Sequence, residues 1–283
     1  MTLNAEIHGI MPEVASLRHR LHRIPELAYE EIKTAQLVRE ELSRLGIEFV
    51  AGVESAPTAT IAKLGQGSAC IALRADIDAL PIEEKTGLEY ASEHPGRMHA
   101  CGHDGHTAAL LGAARLLKGR ESQLPAAVKL IWQPAEEGGG GAQRLVEAGV
   151  LDGRVGPRVD AIFALHGWPG LKVGSVATRP GALLAATDWF SVRFVGQGCH
   201  GAFPHLGRDP IVAAANAVVS LQQVVSREMD PTEPAVVTVG TFNAGTAVNI
   251  IPDEAVITGT ARTLSDAARE RVRRAVLRRC EAA

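Results

Sequence analysis

The chain has 283 residues, 46% of them hydrophobic and 22% charged, enough to build more than one core on the usual scale of roughly 100–200 residues per domain. Lys and Arg number 29 against 32 Asp and Glu, a net charge of −3, which argues against nucleic acid as a partner; no apolar run approaches the ~18 residues of a membrane span. Residues 1–8 lack a basic n-region and an apolar h-region, and Cys70, Cys101, Cys199 and Cys280 are scattered without a CxxC, so a cytoplasmic protein with reduced cysteines is expected.

In chain order, the spacing predicts a short helix over 12–23 and a longer one over 30–45, with Ala35, Val38, Leu42 and Leu45 on one face and Gly46 as its stop. Strand-like runs follow at 47–53, 58–64 and 70–75, then an apolar helix over 106–117 and a strand over 126–132. A short helix over 142–148 ends at Gly149, and 161–165 reads as another buried strand. Strands alternating with helices and rich in continuous apolar runs argue for an α/β domain with helices on both sheet faces.

The texture changes near 178–181. A strand over 188–195 is followed by Asp209 as an N-cap with Pro210 at the first helical position, opening a helix to about residue 229. Strands over 235–242 and 255–263 and a helix from Ser265 complete a β-α-β-β-α order, the mark of a small α+β domain with an antiparallel sheet. The last helix is rich in arginine, but Ala268, Val272, Ala275 and Val276 form an apolar stripe, which favours a packed helix with a solvated basic face over a nucleic-acid site.

Four polar clusters carry the chemistry. In Met98-His-Ala-Cys-Gly-His-Asp-Gly-His106, Cys101 and His103 are metal-ligand types two residues apart on a glycine-containing loop, and so dense a cluster of Cys, His and Asp favours metal over a polar loop capping a helix. Trp132-Gln-Pro-Ala-Glu-Glu-Gly-Gly-Gly-Gly141 leaves a strand end, where open α/β sheets place ligands; of Glu136 and Glu137 one can ligate while the other takes a proton from water, or the pair is a solvated acidic turn. His166 in Leu165-His-Gly-Trp-Pro169 also follows a strand, and alone would pass for a structural histidine. In Leu73-Arg-Ala-Asp-Ile-Asp-Ala-Leu-Pro81, Asp76 and Asp78 can orient a ligand histidine or simply end a strand in solvent.

Together, in this order, the clusters resemble the M20 metallopeptidase superfamily, and more closely its amidohydrolase branch of hippurate hydrolases, N-acyl-amino-acid amidohydrolases and auxin-conjugate hydrolases. The likeness runs from His22-Arg-Ile-Pro-Glu-Leu27 to Gly259-Thr-Ala-Arg262. It implies a zinc-peptidase-like catalytic domain over 1–180 and an inserted, ferredoxin-like α+β lid or dimerisation domain over 181–283. The resemblance further implies Cys101, His103, Glu137 and His166 as ligands to two divalent ions, Zn²⁺ or Mn²⁺, with Co²⁺ or Ni²⁺ also suited to the donors. Glu136 would be the general base and Asp78 an orienting carboxylate; other branches have a histidine ligand where Asp76 stands, so Asp76 is not counted among the ligands.

Gly196-Gln-Gly-Cys-His-Gly-Ala-Phe-Pro-His205 is similar to the family's glycine- and histidine-containing lid run, with Cys199 where glycine is usual. By the same resemblance His200 would polarise the scissile carbonyl, reaching across a homodimer formed through the lid, and Asn249 and Arg262 would bind the substrate carboxylate. The implied reaction is metal-dependent hydrolysis of N-acetyl or N-aroyl amino acids, small-molecule substrates. The alternatives are a carboxypeptidase or dipeptidase and an inactive metal-binding or dimerising remnant. The family continues with a segment that supplies one more histidine ligand, whereas this sequence stops at Cys280-Glu-Ala-Ala283, so a truncated chain is expected.

Overall fold

In the computed structural model, which describes residues 2–283, the Thr2 hydroxyl accepts the Ala5 N–H at 3.4 Å and caps α1 (Leu3–Arg23). The expected start at residue 12 is therefore corrected. Pro12 lies inside the helix, because the Thr2 cap and Glu6 in the first turn launch it earlier. There follow α2 (Ile32–Arg44), β1 (Phe49–Val53), β2 (Ala56–Leu64), β3 (Cys70–Asp76), α3 (His103–Lys118), β4 (Ala127–Gln133), α4 (Gly141–Glu147) and β5 (Ala161–Ala164). Helix α3 begins at His103, three residues before the apolar run that suggested its start, so His103 and Asp104 belong to its first turn.

These elements lie in the first of two units, Met1–Lys172 and Val173–Ala283. Its mixed sheet has the order β1-β2-β4-β3-β5, antiparallel at β1–β2 and β2–β4 and parallel where β3 meets β4 and β5. On one face Leu17 and Leu21 of α1, Val38 and Leu42 of α2, and Leu111 and Ala114 of α3 pack on Leu130 and Trp132. On the other, Leu145 of α4 and Val150 cover Ile61, Ala72 and Ile131. Consecutive β4 residues thus serve opposite faces, which is why the strand reads as an unbroken apolar run. Lys129 is buried within it, its ammonium donating to the carbonyls of Val150 at 2.5 Å and Val155 at 2.6 Å.

β5 corrects the expectation of a buried strand. It is paired along one side only, with β3, and Ile162 and Phe163 are 47% and 59% exposed. An apolar run of four residues does not by itself distinguish a covered strand from an edge strand.

The second unit contains β6 (Ala186–Val195), β7 (Cys199–His200), α5 (Pro210–Gln223) continued by a π-helical turn Val224–Glu228, β8 (Ala235–Ala244), β9 (Ile250–Ile251), β10 (Glu254–Thr263) and α6 (Asp266–Glu281). The Asp209 carboxylate accepts the Ile211 N–H at 2.8 Å and the Ser265 hydroxyl the Ala268 N–H at 3.1 Å, so both helices start at their caps. The antiparallel sheet β6-β10-β8 packs Val237, Ala255, Ile257 and Ala261 against Ala214, Ala217 and Leu221 of α5 and Val272, Ala275 and Val276 of α6. The arginines of α6 pair locally, Arg269 with Asp188 at 2.6 Å, Arg271 with Glu233 at 2.7 Å and Arg279 with Glu228 at 2.5 Å. Among the described residues no helix is long and apolar enough to cross a membrane.

Candidate active site

The polar clusters of the first unit meet at the C-terminal ends of the parallel strands. β3 ends at Asp76 and leads to Asp78, β4 leads through Gln133 into the glycine-rich loop carrying Glu136 and Glu137, and β5 leads to His166. Helix α3 presents His103 and His106, one turn apart, and Cys101 precedes its N-cap.

His103 is the centre of the constellation and is fully buried. Its Nδ1 faces the Asp78 carbonyl at 2.9 Å and Asp78 Oδ1 at 3.2 Å, so Nδ1 carries a proton and, in the neutral ring, Nε2 keeps a lone pair. Asp78 Oδ2 accepts the Glu137 N–H at 2.9 Å, tying the β3 end to the β4 exit loop. Cys101 Sγ lies 3.3 Å from His166 Nε2, while His166 Nδ1 donates to the Gly167 carbonyl at 2.7 Å. Three ligand sets share His103, each with its donor atoms within 4.8 Å of one another: Cys101/His103/His166, His103/Glu136/Glu137 and Asp76/His103/His106.

Two atoms show that these residues fit a cation. His103 Nε2 and Glu137 Oε1 are buried, accept no hydrogen bond, and lie 4.0 Å apart. A lone pair and a carboxylate oxygen facing each other without a donor are costly unless a cation satisfies both. The thiol agrees with that reading. Burial, and then the carboxylates of Glu137, Glu136 and Asp76, push Cys101 up to about 12, so the free thiol keeps its proton and a bound cation would displace it.

The carboxylates are held in different states. Partial desolvation raises Glu136, and the neighbouring charge of Glu137 raises it further. Burial works against ionisation of Asp76 as well, yet the His106 hydrogen bond and the charges of His103 and Arg74 hold it down at about 2. Asp76 Oδ1 receives the His106 Nδ1 proton at 2.6 Å, and His106 Nε2 accepts the Gly167 N–H at 2.8 Å. This chain fixes the segment carrying His166. The sequence reading gave His106 no such role; its spacing of three from His103 was the available signal, but its partner Gly167 lies 61 residues away.

In the second unit, His200 on β7 and Asn249 just before β9 come together: the Gly201 N–H donates to the Asn249 carbonyl at 2.8 Å, and His200 Nδ1 accepts the Ala202 N–H at 3.1 Å. Arg262 is not with them. It is exposed near the far end of β10, in register with Thr187 and Val236, eight residues and roughly 26 Å along the strand from Glu254. Cys199 Sγ donates to the Phe203 carbonyl at 3.5 Å.

The family model of peptidase family M20/M25/M40 matches residues 72–283. The chain is 48% identical over 262 residues to the N-acetyl-L-cysteine deacetylase of Bacillus subtilis, covering 92% of this chain and 62% of that one. It is 49% identical over 253 residues to the IAA-amino acid hydrolase ILR1-like 4 of Arabidopsis thaliana, covering 89% and 56%. The chain thus spans about three fifths of the length of these curated relatives. A solved dinuclear metal-binding peptidase of the M20 family from Bacillus subtilis superposes with a TM-score of 0.75 at 38% identity, over 97% of this chain and 71% of that one. With a family match over most of its length and a strand-end cluster of cysteine, histidine and glutamate, the chain belongs to peptidase family M20/M25/M40.

Proposed function

We propose that the protein hydrolyses the amide bond of N-acyl amino acids, N-acetyl or N-aroyl, with a pair of divalent ions such as Zn²⁺ or Mn²⁺ at the strand-end site. The observation that carries this reading is the buried, partnerless pair His103 Nε2 and Glu137 Oε1 beside Cys101 and His166. These four residues would hold the metal, whose Lewis acidity polarises the acyl carbonyl and makes water more acidic. Glu136, next to the ligands and raised from its ordinary value, takes the proton of the attacking water and returns it to the leaving nitrogen. Asp78 fixes the His103 tautomer.

His200 is proposed to polarise the carbonyl, and Asn249 and Arg262 to take the substrate carboxylate, Arg262 through its planar fork. Asn249 and Arg262 stand towards opposite ends of β10, so a single small substrate meets both only if two copies of the chain contribute. That separation supports a homodimer through the second unit, a lid or dimerisation domain, with the first unit as the catalytic domain. Four free cysteines are in keeping with the reducing cytoplasm.

The test is metal analysis together with turnover of N-acetyl and N-benzoyl amino acids against dipeptides. Glu136→Gln is expected to lose at least a hundredfold in kcat while keeping its metal, and Glu137→Gln to lose the metal itself. Turnover of Glu136→Gln within tenfold of wild type, a barrier change of only ~1.4 kcal/mol, would remove Glu136 as the base. Preference for dipeptides would move the substrate class to the peptidases.

A further inference from the structure

Two non-glycine residues among those described have positive φ, Tyr29 at 64° and Ala135 at 53°. Such backbone persists where the surroundings over-determine it, and it gathers at functional sites. Though far apart in sequence, the two are held by one set of contacts. The Tyr29 hydroxyl donates to the Gly139 carbonyl at 2.6 Å, and Glu31 Oε1 accepts the Ala135 N–H at 2.9 Å. Glu31 is fully buried, its other oxygen accepting the Thr58 hydroxyl at 2.7 Å, and the Arg144 guanidinium lies over the Tyr29 ring at 4.1 Å. A Cβ on Gly139 would stand 2.5 Å from Ala135 Cβ and 3.0 Å from Tyr29 Cε2, so the glycine-rich loop is pressed onto the ring.

Between these anchors lie Glu136, Glu137 and Gly138. Glu31 bonds the amide just before them, Tyr29 the carbonyl just after, and Asp78 the Glu137 amide itself. We propose that Tyr29 and Glu31 are positioning residues, a clamp from the α1–α2 connection that imposes the left-handed turn at Ala135 and thereby aims both carboxylates. The inference rests on the roles given to Glu136 and Glu137 above. Tyr29 and Glu31 touch neither substrate nor metal; they act through the loop.

The full chain is titrated with Co²⁺ alone, following thiolate-to-metal absorption, as wild type, Tyr29→Phe, Glu31→Gln and Leu42→Ala. Tyr29→Phe and Glu31→Gln are expected to weaken Co²⁺ binding ten- to a hundredfold, and to lower kcat for an N-acetyl amino acid with KM within twofold of wild type. Leu42→Ala opens a cavity in the main core three turns along α2; it should lower Tm yet leave Co²⁺ affinity within twofold. The clamp is overturned if Tyr29→Phe and Glu31→Gln bind Co²⁺ within threefold of wild type, or if Leu42→Ala weakens it as much as they do. A wild type that takes up no Co²⁺ overturns the hydrolase reading and the clamp's purpose with it. A wild type that binds and turns over, with Tyr29→Phe and Glu31→Gln unmoved, overturns the clamp alone.

Discussion

Gly102 sits between the two donors Cys101 and His103 with φ at +85°, and a Cβ there would meet nothing within 4 Å. A Cβ at this position therefore clashes with no neighbour and costs only the left-handed conformation, about 1–2 kcal/mol for alanine and less for asparagine, which tolerates it. Urea denaturation should rank Gly102 above Gly102→Asn and Gly102→Ala last; an alanine variant as stable as wild type would mean that the turn relaxes. At this scale the site was partly legible. Cys101, His103, Glu136, Glu137 and His166 stand in short runs whose residue types announce their chemistry. His106, Tyr29 and Glu31 do not, because what they do is set by Gly167, Gly139 and Ala135, partners that local spacing does not reveal.

Between elements, a buried polar tie joins α1 to α3: His22 Nδ1 to Asp104 Oδ2 at 2.8 Å, both buried, with Arg18 on the same oxygen at 2.9 Å. The hydrogen bond to Asp104 raises His22 despite burial; burial of Asp104 is outweighed by His22, His99 and Arg18, and its carboxyl is lowered. The signs follow by linkage. A raised histidine stabilises fully below its unfolded value near 6.5 and loses that contribution as pH rises through its folded value; a lowered aspartate stabilises above about 4 and loses it as pH falls. The stability gap between wild type and His22→Gln should thus be widest from about pH 4 to 6.5 and shrink on the alkaline side, measured by denaturant melts from pH 5 to 9. A flat gap over that range would show that His22 is not protonated in the fold. Most elements were readable from their periodicity and caps. Among the exceptions, the early start of α1, the His103 start of α3 and the bare edge at β5 are places where a cap, a glycine turn or a missing neighbour outweighs the local pattern, and β7 and β9, two residues each, are too short to show a period.

Over the whole chain, each unit has a core of its own, the first on both sides of a mixed sheet and the second between an antiparallel sheet and two helices. The two units part between Lys172 and Val173, whereas the sequence changes from long apolar strands to alternating ones only near residue 180. What it does not display is strand order. Parallel and antiparallel neighbours both read as apolar runs, so the placement of β4 between β2 and β3 was not legible.

That placement has a consequence in time. The β1–β2 hairpin closes almost at once, Val53 facing Ala56, but β3, next along the chain, has no partner until residues 127–133 have been synthesised and threaded beside it. Closing so long a loop is slow, and the Asp76–Asp78 end waits for it. Pulsed hydrogen exchange during refolding should find amides of 49–64 protected well before those of 70–76, whose protection should appear together with that of 127–133 in a single later phase. The site would then be the last part of the first unit to acquire order, so a cation added at the start of refolding should leave the early phase unchanged and trap only its product.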